Sequence, residues 1–358
     1  MSTPKTPRTS KTPKIGRRRV VQIAAAAAMS ACLVRPRNAN AMETAKDEPA
    51  GKPAATPAPV EAPDTTPLPY VNQLGLQLYT VRDQMTDNPA TTLEAIAEAG
   101  YWQVELMNID EDAVRLAGIA RDVGLAVHSA FLDFNIITAP ERDGVDSLAR
   151  TLDIAQRIGL RHVVFGYIAK DQRDTADKCR AIAESANAAA NKTRAAGMRM
   201  CYHNHSFEFQ PFAIDKAIEK AAAEAAAKDP AKDAAKDAKP LTAYDIFMER
   251  FDPQQMEFEL DVFWAKIAGH DPLAMMRRLA GRISQIHLKD MLAGTPIITD
   301  ESDVPKDAFQ ELGDGVIDIP AVMKLAKEIG VDQCHVEQDQ SPAPLESIVQ
   351  SIQFLATK

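Results

Sequence analysis

The chain has 358 residues, of which 46% are hydrophobic and 6% aromatic, and a formal net charge of −9. That length and apolar content suit one large α/β domain or two smaller ones and exclude a wholly disordered chain. The acidic excess argues against a nucleic-acid partner, because such a body repels a phosphate backbone.

The first element is a targeting segment, residues 1–41. Lys5, Arg8, Lys11, Lys14 and Arg17 to Arg19 precede VVQIAAAAAMSACLV, an apolar run too short to span a bilayer comfortably. The arginines ahead of an Ala-rich core resemble a twin-arginine export signal. Ala39-Asn40-Ala41 offers small residues to a signal peptidase, with cleavage before Met42. The sequence therefore predicts a periplasmic or secreted protein with no membrane span. A lipoprotein anchored at Cys32 is the alternative, and a plain basic N-terminus is a third reading. Loss of the nine basic residues in 1–41 would take the net charge from −9 to about −18. Cys179, Cys201 and Cys334 remain, without CxxC spacing, so no disulfide framework is expected. Residues 42–70 are rich in Pro and Ala and lack an apolar period, which predicts a flexible linker.

From Leu74 onward, apolar runs alternate with helical patterns. LGLQLYTV, WQVELM, LAVHSAFL and RHVVFGYI are the first four predicted strands. MRMCYHNH, MEFELDVFW, RISQIHLKDM and DQCHVEQDQ are the last four. A helical stretch follows each, and several end in Gly, as a left-handed C-terminal cap requires. Continuous apolar strands separated by helices predict a parallel sheet covered on its outer face. Eight such units predict a closed (β/α)₈ TIM barrel over residues 71–358. An open doubly wound sheet is the alternative, weakened because no GxGxxG follows the first strand. One segment breaks the rhythm: residues 215–240, rich in Ala and Lys with Pro230 inside, predict a solvated insertion without a catalytic role.

In such a barrel the functional groups come from the C-terminal ends of the strands. The fifth strand ends in His203-Asn204-His205 with Glu208 close by, the sixth in Asp261, the seventh in His287 and Lys289, the eighth in Glu337. Nitrogen and carboxylate oxygen converging from four strands suit one divalent ion: Mn²⁺, Co²⁺, Zn²⁺ or Mg²⁺. Each residue also has a structural reading. His287 could be a satisfied core histidine, Asp261 a helix cap, Lys289 and Asp290 a surface ion pair, Asn204 a partner for rim backbone groups. Gln77, Tyr79, Arg82, His128 and Trp264 stand at strand ends, where they would meet substrate hydroxyls or stack on a sugar ring. For Arg82 a helix-surface role competes, and for Tyr79 and Trp264 rim packing does. Glu105 on the second strand points into the barrel or its mouth.

QLYTVR (77–82), YHNHSFEF (202–209), FELDVFW (258–264), IHLKD (286–290), GDGVID (313–318) and HVEQDQ (335–340) together resemble the sugar phosphate isomerase/epimerase superfamily, which shares a xylose isomerase-like barrel with apurinic endonucleases. The resemblance runs from about Leu74 to the C-terminus and does not fix the substrate. It implies one divalent cation held by Glu, Asp, His and Glu from strands 5 to 8. Asp261, His287 and Glu337 match the last three positions. The first departs, since His203 stands where relatives place Glu. Glu208 folding back, with His205 nearby, is the favoured substitute ligand, and His203 as ligand is the other option. The implied chemistry is proton abstraction beside a carbonyl through a metal-bound enediolate. Glu337 would be the acid/base, His203 a second candidate, and Lys289 a hydrogen-bond donor to the oxyanion. The expected enzyme is an isomerase or epimerase of a sugar or glycoside, with elimination from a 3-keto-glycoside as the alternative. A phosphodiesterase is disfavoured by the acidic body, and a non-enzymatic sugar-binding barrel by the intact ligand set. The sequence leaves open whether the chain forms a homo-oligomer.

Overall fold

The computed structural model describes residues 67–212 and 240–358. The export signal (1–41), the linker up to residue 66 and the insertion up to residue 239 lie outside the described residues. Leu68 is buried and the Tyr70 hydroxyl donates to the Val331 carbonyl at 2.6 Å, so residues at the end of the predicted linker already pack on the barrel.

Eight parallel strands close into a barrel: β1 (Gly75–Gln77), β2 (Gln103–Leu106), β3 (Ala126–Phe131), β4 (His162–Phe165), β5 (Arg199–His203), β6 (Met256–Asp261), β7 (Ile283–Leu288) and β10 (Gln333–Val336). Their order round the barrel is β1-β10-β7-β6-β5-β4-β3-β2. A short antiparallel pair, β8 (Asp290–Met291) and β9 (Phe309–Gln310), lies outside the ring. The strands are shorter than the apolar runs that predicted them. LGLQLYTV becomes three strand residues followed by a 3-10 turn (Leu78–Val81), because Gln77 accepts the Tyr79 N–H and starts that turn. MEFELDVFW divides at Asp261, whose carboxylate caps the helix Val262–Ile267.

Alternation divides the barrel's two faces. Tyr202 points outward into the aromatic rings of Phe247 and Phe251 on the helix Ala243–Arg250 and its end. Leu76, Val104, Ala130, Val163, Leu260, Ile286 and Cys334 are also fully buried. The inner face is polar. Ser129 of β3 reaches Gln285 of β7, and Glu105 of β2 reaches His287 of β7, between strands that are not neighbours in the ring. Two β-bulges set this up: Val104 and Glu105 face Val127 and Ser129, skipping His128, and Phe258 and Glu259 face Ile283 and Gln285, skipping Ser284. Each skip shifts the later part of a strand by one residue and returns its polar side chains to the interior.

The segment after β7 is tied back by one side chain. Asp290, buried, accepts the backbone N–H of Met291 and Ile317 on Oδ1 and those of Gly313 and Gly315 on Oδ2, all within 3.1 Å. A Cβ on Gly315 would stand 2.2 Å from Asp290 Oδ1, so only glycine lets the backbone approach this closely. Asp290 is therefore a loop anchor, not half of a surface ion pair. Replacing it with alanine leaves four N–H groups without their acceptor. A loss of at least about 3 kcal/mol is expected, read as a lowered midpoint in urea unfolding; an unchanged midpoint would show that the loop is held by other means.

Candidate active site

β5, β6, β7 and β10 deliver one ligand-type side chain each to a common point. His203, Asp261, His287 and Glu337 offer nitrogen and oxygen atoms within 4.8 Å of one another, and all four are buried. Their positions follow from the backbone. Asp261 Oδ1 accepts the Trp264 N–H at 2.9 Å, which fixes the rotamer and turns Oδ2 toward Lys289 Nζ, 3.0 Å away. Cap and ligand are thus compatible roles of one carboxylate. Asn204 stitches β5 to β6, its side-chain oxygen accepting the Asp261 N–H and its amide donating to the Asp261 carbonyl. His287 Nδ1 lies 2.7 Å from Glu337 Oε2 and 4.0 Å from Asp261 Oδ2. His203 Nε2 lies 3.9 Å from Asp261 Oδ2.

The electrostatics are those of a carboxylate cluster short of positive charge. Lys289, buried, stands 3.0 Å from Asp261, 2.7 Å from Glu337 and 2.6 Å from Asp339. Burial alone would lower the Lys289 ammonium, but these three carboxylates hold it well above the ordinary lysine value. Burial raises Glu337, and Lys289 and His287 more than reverse this, bringing it down to about 2. Asp339, by contrast, is pushed up to about 6, mainly by burial. Burial also keeps His203 neutral, well below the usual imidazole range, as His287, His205 and Lys289 add to the effect. Asp261 and Glu337 share the Lys289 ammonium with Asp339, and Asp261 Oδ2 accepts no hydrogen bond apart from that ion pair. A neutral His203 nitrogen beside the Asp261 and Glu337 carboxylate oxygens, with one ammonium shared among three carboxylates, fits a divalent ion.

A second group lies deeper: Glu105, Glu259, His287 and His335, again within 4.8 Å. Above the first group opens a cavity of about 910 Å³, lined at its floor by His203, His205, Lys289, Glu337 and Gln77 and at its wall by Phe131, Tyr167 and Trp264. Phe131 packs against the rings of both His203 and His287. Two loops meet across one side of the mouth. One Arg173 guanidinium nitrogen donates to both Glu301 oxygens, and Lys170 pairs with Asp300 at 2.8 Å, while Tyr167 and Glu301 both face the cavity.

Several sequence expectations are altered. Glu208 does not join the ligand group: it sits on the outer side of β5, where Oε1 accepts the Tyr202 hydroxyl at 2.6 Å and Oε2 the His205 N–H at 2.9 Å. His203 takes the place expected of it. His205 stays beside the group, stacked on Phe207, with its ring 5.1 Å from that of His203. His128 occupies the β3 bulge and bonds Gln103 at the start of β2, against Trp102 and away from the cavity; the strand runs on to Phe131, which faces the site instead. Arg82 lies over the Tyr79 ring and donates to the Asp339 carbonyl, outside the cavity lining. Gln77, Tyr79 and Trp264 line it as expected. Sequence reasoning passed over Glu259, His335 and Phe131. The signal was present: Glu259 and Asp261, His335 and Glu337, and Ser129 and Phe131 are each two residues apart, on one strand face.

A family model described as xylose isomerase-like TIM barrel matches residues 93–358. Over 124 residues the chain is 29% identical to an inosose dehydratase of Clostridium tetani (strain Massachusetts / E88), a match covering 32% of this chain and 42% of that protein. Among solved structures, a sugar phosphate isomerase/epimerase from Parabacteroides distasonis ATCC 8503 superposes with a TM-score of 0.58 at 22% identity, covering 82% of this chain and 96% of the other. A 3-keto-D-glucoside 4-epimerase from E. coli superposes with a TM-score of 0.51 at 12% identity, covering 80% and 99%. At these identities the structural likeness speaks for the fold.

The exchange of Glu208 for His203 is directly testable. Asp261→Ala and His203→Ala are expected to lose bound Mn²⁺, Co²⁺ or Zn²⁺ in elemental analysis, while Glu208→Gln keeps wild-type stoichiometry. Glu208 also has a pH signature. Burial pushes its carboxyl up to about 8, against the opposing effects of the Tyr202 hydroxyl and the His205 N–H. The folded chain therefore keeps a proton that the unfolded chain releases near 4.5, and stability falls as pH rises between those values. Glu208→Gln should flatten that region of a stability–pH curve; an unflattened curve would assign the slope to other groups.

Proposed function

The chain belongs to the xylose isomerase-like TIM barrel family, and on that premise we propose that it is a divalent-metal-dependent enzyme that isomerises or epimerises a sugar or sugar derivative by removing a proton next to a carbonyl. The observation that carries this reading is the convergence of His203, Asp261, His287 and Glu337 beneath a cavity large enough for a glycoside. These four residues would hold the ion, which when bound polarises a carbonyl and its neighbouring hydroxyl as a Lewis acid.

The chain's own groups do the remaining work. Glu337, ionised by Lys289 and His287, faces the cavity and is the group to take the proton and return it. Lys289 is held by three carboxylates so that its ammonium lines the floor, where it donates a hydrogen bond to oxygen as negative charge develops. Trp264 and Tyr79 offer ring surface to the apolar face of a sugar. Asp110, Asp133, Asp146, Glu301 and Asp339 line the cavity against Lys289 and Lys306. That acidic wall opposes a phosphate group and favours an uncharged sugar, keto-sugar or glycoside.

Elimination from a 3-keto-glycoside on the same groups is the second reading, favoured by the partial match to a dehydratase. The N-terminal sequence supports export to the periplasm, with lipidation at Cys32 as the alternative; cell fractionation with mass spectrometry of the mature N-terminus separates these. For the chemistry, keto-sugars and glycosides are incubated in D₂O and followed by NMR. Isomerisation or epimerisation retains all carbons in one product and incorporates solvent deuterium, whereas elimination releases an aglycone or water. Glu337→Gln is expected to lower kcat by about 10²- to 10⁴-fold. Full activity in that variant would remove Glu337 from the proton-transfer role.

A further inference from the structure

We propose that Glu105 and Glu259 are positioning residues: two carboxylates beneath the ligand group that fix which ring nitrogen each site histidine turns upward. The inference rests on the metal reading of the upper group and goes beyond it, because neither glutamate is among the four residues that converge there.

Both histidines span two layers. The upper nitrogen of His287, Nδ1, faces Glu337 and Asp261. Its lower nitrogen, Nε2, lies 2.7 Å from Glu105 Oε2 and 3.3 Å from Glu259 Oε1. The upper nitrogen of His203, Nε2, faces Asp261, and its lower nitrogen, Nδ1, lies 3.3 Å from Glu259 Oε2. A histidine that gives one nitrogen to an ion must carry its proton on the other, and a carboxylate below is the acceptor that holds that tautomer and ring angle.

Glu105 is itself held rigidly. It is fully buried, with Oε1 accepting the Ser129 hydroxyl at 2.5 Å and Oε2 the Gln77 amide at 2.8 Å. Ser129 in turn accepts the Gln285 amide, which also donates to Glu259 Oε1. Each of these partners of Glu105 is thus a donor, as an acceptor in this position requires. Among the described residues, Glu259 Oε2 and His203 Nδ1 are both buried without a hydrogen bond and face each other at 3.3 Å. The network joins β1, β2, β3, β6 and β7 below the site, so the ring angles are set by the barrel wall and not by a loop.

The test uses the full-length protein loaded with Zn²⁺. Ring-¹⁵N NMR of the wild type is expected to place the proton of His287 on Nε2 and that of His203 on Nδ1. Glu105→Gln puts an amide donor where only an acceptor fits and should disturb the His287 signal, raising the Zn²⁺ Kd by about 10- to 100-fold. Glu259→Gln should disturb the His203 signal. Glu208→Gln, which alters an equally buried carboxyl outside this layer, should change neither signal nor affinity. If Glu105→Gln fails to fold, the wild-type ring protonation alone decides. Protons on the opposite nitrogens, or undiminished Zn²⁺ affinity in Glu105→Gln, overturn the proposal. A wild-type protein that binds neither Zn²⁺, Mn²⁺ nor Co²⁺ instead overturns the metal reading on which it rests.

Discussion

His287 stands between Glu105 below and Glu337 above, 2.7 Å from each, inside a barrel closed to water. Charge in such a place must be matched, because an unpartnered ion in a low-dielectric interior costs several kcal/mol. Burial opposes a charged His287 but Glu259, Glu337 and Glu105 together override it, holding the imidazole well above its ordinary range. Lys289 has the same role nearer the mouth, among Asp261, Glu337 and Asp339. These two groups let five carboxylates share the top of one barrel, and the position of each remaining site residue follows from that balance.

The same constraint explains the division between the two faces of the sheet. The outer face can be apolar because helices cover it, and Tyr202 with Phe247 and Phe251 shows that packing. The inner face carries Glu105, Ser129, Glu259, Gln285 and His335, all buried. Such a core gains less from hydrophobic transfer than the branched aliphatic layers usual in this architecture. Its polar groups are held by partners across the barrel, as in the Ser129, Gln285 and Glu259 chain.

Much of this was legible in the sequence. The eight apolar runs, the Gly stops and the polar strand ends pointed to the barrel and to Asp261, His287 and Glu337, with His203 as an alternative, because strand ends and period-two alternation are local properties. Glu208 was misplaced for a local reason too. It lies close to His203 in sequence, but three residues of 3-10 turn (Phe207–Phe209) carry it round to the outer face, where the Tyr202 hydroxyl receives it. His128 was misjudged because a β-bulge, which depends on the partner strand, shifts the inward-facing residue to Ser129. Glu105 was read as pointing into the barrel or its mouth and Glu259 was passed over; that they share one layer became visible only with β7 placed across the ring from β2 and beside β6. What the sequence did not disclose was side-chain direction beyond the nearest turn.

The loop pair at the cavity's edge has a consequence of its own. Arg173 with Glu301 and Lys170 with Asp300 join a segment after β4 to one after β7, bridging the ends of the two strands between them. Arg173 and Glu301 are largely shielded, whereas Lys170 is open to solvent, so dissolved salt screens the second contact far more than the first. One clasp is therefore nearly indifferent to ionic strength and the other loosens with it. The outer contact at that edge then softens in salt, while the shielded pair and the buried charges beneath it do not.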